Sequence, residues 1–196
     1  MFNQYKSVAD IYGEYWRAYG GICKLLTSPY LHTAFVLLLL TAPSWSGIWE
    51  TGSKAGEGWW DQSIAVLPNL LGFTLGGFAI FIGFGDEKFR SLLAEPASEG
   101  AVNDYVALCA HFVHFITVQA VALMVAIVVK SFQFYSPIAD PIRDWLPLLN
   151  GIVGALGCLL FLYALTSVLA ATMHVFRIAR LYSLFQSQST SRAPSS

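Results

Sequence analysis

Four long stretches of this chain, each of more than 20 residues, hold no Asp, Glu, Lys or Arg: residues 25–49, 62–85, 105–129 and 145–176, of 25, 24, 25 and 32 residues. A helix needs roughly 20 mainly apolar residues to cross a hydrocarbon core of about 30 Å. Backbone exposed to lipid must satisfy its own hydrogen bonds, which leaves the helix as the spanning form here. The pattern predicts an all-α integral membrane protein with four transmembrane helices. They occupy about 29–49, 62–85, 105–129 and 147–176, inside a membrane domain 28–182.

Ahead of the first run the pattern changes. Tyr5, Val8, Tyr12, Tyr15, Tyr19, Ile22 and Leu26 recur at alternating spacings of three and four, with Asn3, Lys6, Asp10, Arg17 and Lys24 on the other side. This periodicity predicts an amphipathic helix over residues 1–27. Its polar back and aromatic stripe suit the membrane interface. The seven-residue repeat also suits pairing of helices between subunits. Gly20-Gly21 weakens its end and predicts a bend into the bilayer. Further on, Thr41-Ala42-Pro43 predicts a kink or fraying in the first span, and Pro68 one in the second. The second span is expected to continue past the membrane until Pro96. Residues 183–196, rich in Ser and Thr without apolar periodicity, are expected to form a disordered cytoplasmic tail.

The charges outside the runs set an orientation. Eight basic residues (Lys6, Arg17, Lys24, Lys88, Arg90, Arg177, Arg180 and Arg192) flank one side, against Lys54, Lys130 and Arg143 on the other. Short loops rich in Lys and Arg stay cytoplasmic, so both termini are predicted to be cytoplasmic in a bacterial inner membrane. Trp45, Trp49, Trp59, Trp60 and Trp145 fall at the opposite interface, where an aromatic belt belongs. No cleavable signal peptide is expected, because the first 24 residues lack an apolar core. The three cysteines imply no disulfide framework. A net charge of −1 gives no electrostatic basis for binding nucleic acid.

Candidate chemistry is sparse. Gly72, Gly76, Ala79 and Gly83 form a stripe of small residues on the second span, and Gly151, Gly154 and Gly157 repeat it on the fourth. Such stripes let helices approach closely in lipid, within one bundle or between subunits, and they point to a homo-oligomer. Gly83-Phe84-Gly85-Asp86 matches the GxGD pattern of intramembrane aspartyl proteases, whose chemistry needs a second carboxylate. No Asp or Glu lies in an earlier span and no Pro-Ala-Leu follows, so proteolysis is not expected. Nucleophile-elbow, P-loop, HExxH and CxxC signatures are absent.

The polar residues inside the spans are more informative. His111 and His114 share one face of the third span, Gln119 roughly continues it, and His174 lies near the cytoplasmic end of the fourth. Ionisable groups inside a membrane normally face a bundle interior or a wet cavity. Interhelical hydrogen bonds, a proton or ion path, or a haem or metal site would each use them. No cofactor is expected, and haem or metal is the alternative. On the cytoplasmic side, Glu87, Lys88, Phe89, Arg90, Leu92 and Leu93 combine charge with apolar anchors, a surface suited to a cytosolic protein partner.

These features favour a non-enzymatic oligomeric membrane protein, a channel or pore or a sensor-anchor engaging a cytosolic partner. A bacterial antiviral defence operon is one setting in which such a chain accompanies a soluble effector. A small proton- or ion-coupled transporter using the histidines is the first alternative, and a membrane redox, haem or metal enzyme the second.

Overall fold

The computed structural model describes residues 2–46, 58–83, 91, 94, 103–132 and 145–191. Among them the regular structure is entirely helical. Helix α1 (Phe2–Tyr19) is followed by α2 (Gly21–Leu26), α3 (Pro29–Leu40) and α4 (Ala42–Ser46). Then come three long helices: α5 (Trp59–Gly83), α6 (Asp104–Ser131) and α7 (Leu146–Ser191).

Local chemistry explains the boundaries. Gly20 and Gly21 take φ of 105° and 68°, a left-handed backbone that side chains with a Cβ resist, so α1 stops and the chain turns into α2. Pro29 occupies the first turn of α3, where its missing N–H costs nothing. Asn103 caps α6, its side-chain oxygen accepting from the Val106 N–H at 2.7 Å.

Three helices are long and apolar enough to cross a membrane, Trp59–Gly83, Asp104–Ser131 and Pro147–Ser187, as in a multi-pass membrane protein. The expected first span differs. Helix α3 has only 12 residues, about 18 Å at the usual rise, which falls short of the hydrocarbon core. The break follows from Pro43, which has no N–H to bond the Leu39 carbonyl and whose ring crowds that carbonyl, so the helix stops and restarts around Thr41. Thr41 closes α3, its hydroxyl donating to the Leu37 carbonyl at 2.8 Å, and α4 begins anew. The far end differs as well. Helix α7 runs through Ser191, past position 183 where a disordered tail is expected, because extending an existing helix costs far less than starting one.

Helix α7 is the hub, packing against α3, α4, α5 and α6. Lys130 near the end of α6 meets Asp61 near the start of α5 at 2.7 Å, so these two helices run antiparallel. One core layer joins Ala34 and Leu38 of α3 and Leu67 of α5 to Ala122, Ala126, Phe161 and Leu162. A second, toward the other end, joins Phe81, Phe112, Phe115, Ala170 and Ala171. Large apolar side chains such as Phe35, Phe73, Ile80, Met124 and Leu156 point outward and are exposed. Such a surface suits lipid and would drive aggregation in water.

Candidate functional site

Helix α1 docks on α6 through the second half of its stripe, which brings aromatic rings onto the histidines. His114 is 3% exposed, and both of its ring nitrogens bond to phenols: Nδ1 with Tyr15 Oη at 2.8 Å and Nε2 with Tyr163 Oη at 2.9 Å. A neutral imidazole suits this arrangement, donating to one phenol and accepting from the other. Tyr19 stacks on the same ring with centroids 4.0 Å apart, and Trp16 lies at 6.3 Å. Burial pushes the Tyr15 phenol up to about 12, with Tyr19 and Tyr12 adding to the effect. Tyr19 is raised as well, chiefly by burial. Both phenols therefore keep their protons at neutral pH.

His111 sits one turn nearer the start of α6. Its Nδ1–H donates to the Ala107 carbonyl at 2.6 Å. Its ring lies 4.8 Å from His174 of α7 and 5.2 Å from Tyr19. The pair borders a cavity of about 80 Å³ between α6 and α7, flanked by Asp104 and Arg177.

Gln119 is separate from the histidines and fully buried. Its amide N–H₂ donates to Thr74 Oγ of α5 at 3.1 Å and to Ser167 Oγ of α7 at 3.4 Å. Both hydroxyls spend their own protons on backbone carbonyls, Leu70 and Ala164, so both are available as acceptors. Gln119 thereby ties three long helices together. Among the described residues its Oε1 has no partner, a cost usually met by water or a ligand group. At the opposite end a cavity of about 590 Å³ is bordered by Thr41, Trp59, Asp61, Gln62, Cys158 and Leu162.

The structure thus gathers His111, His114 and His174 and leaves Gln119 apart. Among the described residues no group of three His, Cys, Asp or Glu side chains is placed to hold a metal ion. The glycines divide sharply. A Cβ at Gly154 would stand 2.9 Å from the Trp45 carbonyl oxygen, and one at Gly157 would collide with the Trp59 ring. Gly72, Gly76, Gly83 and Gly151 would meet nothing within 4 Å. Gly72, Gly76, Ala79 and Gly83 all lie on exposed surface, so among the described residues nothing packs on this stripe. Glu87, Lys88, Phe89, Arg90, Leu92 and Leu93, the expected partner surface, lie outside the described residues.

Sequence reasoning missed Tyr15, Trp16, Tyr19 and Tyr163 as companions of the histidines. One signal was available: Tyr163 is the only tyrosine in the last charge-free run, with Thr166 and Ser167 within four residues. No family model, curated protein or solved structure matches this chain.

Proposed function

We propose that this chain is a non-enzymatic membrane sensor-anchor, assembled from several copies, that engages a cytosolic partner. In this reading α3 and α4 together form a fourth crossing beside α5, α6 and α7. Both termini are cytoplasmic in a bacterial inner membrane, in the setting of antiviral defence. The carrying observation is the docking of α1 on His114, which couples a surface helix to the membrane bundle. The first half of α1 keeps Tyr5, Val8, Ile11 and Tyr12 exposed, available to the membrane interface or to a neighbour. Residues 177–191 extend α7 beyond its charge-free run by about 22 Å, long enough to act as a rigid docking arm. The exposed small-residue face of α5 supports assembly, because glycine allows backbones to meet.

Hydrogen exchange on the full chain tests the coupling. Tyr15→Phe and His114→Ala should both raise exchange across α1, and unchanged protection in both would overturn it. The transport alternative keeps one observation in its favour, the unpartnered Gln119 Oε1 beside Thr74 and Ser167. Proton flux in liposomes that falls with Gln119→Leu would support transport; absence of flux in the parent would dismiss it.

A further inference from the structure

The groove between α6 and α7 has a chemistry that neither the sensor reading nor the bundle packing uses. Its walls are Asp104, Ala107, Leu108 and His111 on one side and His174, Arg177, Ile178 and Leu181 on the other. Its depth in the membrane can be read from the chain. The charge-free run of α6 starts just after Asp104, and that of α7 ends just before Arg177. The groove therefore lies where hydrocarbon gives way to headgroups. The ammonium of Lys24, on α2, is close enough for its charge to act on both His111 and His174, as does Arg177. Two helices thus bring Arg177 and two imidazoles to one interfacial slot with apolar walls, and Lys24 adds positive charge nearby without lining it.

We propose that this groove binds the phosphate of an anionic phospholipid, with the acyl chains lying along Leu108 and Ile178. Basic pockets between spanning helices at the headgroup level recognise lipids in this way. The Arg177 guanidinium supplies a planar donor fork that matches phosphate oxygens. His111 donates Nδ1–H to its own helix, so in the neutral ring Nε2 is an acceptor and the phosphate donors come from Arg177. The volume, about 80 Å³, exceeds several times the roughly 10–15 Å³ that a single water requires. Arg177 and Lys24 set against Asp104 leave one net positive charge, which matches a singly charged phosphodiester. This assignment rests on α6 and α7 crossing the membrane.

The test uses the purified full chain in maltoside detergent with fluorescent phosphatidylglycerol as probe, after alkaline extraction of membranes. The parent should bind the probe, and Arg177→Gln should weaken binding about fivefold, the loss expected for one interfacial charge. Adding Lys24→Gln should weaken it further, Arg177→Lys should recover part of the loss, and Asp104→Asn should tighten it. Lys130→Gln, at the far end of α6, should bind as the parent does. Arg177→Gln or the double variant binding like the parent would overturn the site. So would an equal loss in Lys130→Gln, or displacement of the probe by inorganic phosphate as readily as by unlabelled lipid. Should Arg177→Gln fail to fold, Asp104→Asn decides alone, since unchanged or weaker binding there opposes the proposal. Release by alkali would instead overturn the spanning reading itself.

Discussion

His114 is the residue with most at stake, because burial removes water from a ring whose two nitrogens both need partners. Replacing Tyr163 or Tyr15 with Phe leaves one of them unmet, at a cost of about 1–3 kcal/mol. Thermal unfolding in detergent should register this for both variants, and α1 should loosen mainly in Tyr15→Phe. The Tyr15 phenol also predicts a pH dependence. Its folded value is raised to about 12, above the ordinary value of about 10. The stabilisation is therefore complete below pH of about 10 and lost as pH rises through the folded value. Phenolate absorbance and α1 protection should change together in that window, and Tyr15→Phe should remove the step. The glycines of α7 offer a second comparison. Gly157→Ala pushes a methyl into the trapped Trp59 ring, and overpacking of this kind costs about 1–3 kcal/mol. Gly151→Ala meets only open space and should leave the melting temperature unchanged or slightly higher. In the sequence the two glycines look alike. What distinguishes them is a tryptophan about a hundred residues earlier, which no local pattern records.

Among the helices, α5, α6 and α7 were legible because charge-free length reports directly on burial in lipid. The break between α3 and α4 was legible too, in Thr41-Ala42-Pro43, although its effect on span length was not. A hydropathy run counts apolar residues whether or not the backbone through them stays helical. The end of α7 was misread for the complementary reason, since polar composition argues against burial and says little against helix. Proximity of His111 and His174 follows from two antiparallel spans with matched depths, whereas the arrival of Tyr15 and Tyr19 depends on how α1 turns back at Gly20. Crossing by α3 and α4 has a direct test. Cysteine labelling from outside the cell should reach Lys54→Cys and spare Gln186→Cys; the reverse pattern would overturn the proposed orientation. On α5, Gly76→Leu should leave the fold of one chain intact, because its side chain meets nothing there, while reducing assembly between copies.

At the scale of the whole molecule, an assembled form should run in detergent at a multiple of 21.5 kDa and fall toward that mass in Gly76→Leu. Partner docking is tested by Phe89→Asp and Leu93→Asp: a lost partner with intact assembly supports it, and an unchanged partner rejects it. The tie between Tyr15 and His114 joins residues 99 positions apart, and the second phenol on that ring, Tyr163, is later still. The ribosome therefore makes the N-terminal helix long before either of its landing residues. Until α6 has been made, Tyr15, Trp16 and Tyr19 have no His114 ring to cover, and the newborn chain displays them. Closure of α1 thus waits on α6 and is completed when Tyr163 takes the other ring nitrogen, so a chain stalled before α6 would offer a bare aromatic face to the proteases and chaperones that police membrane insertion.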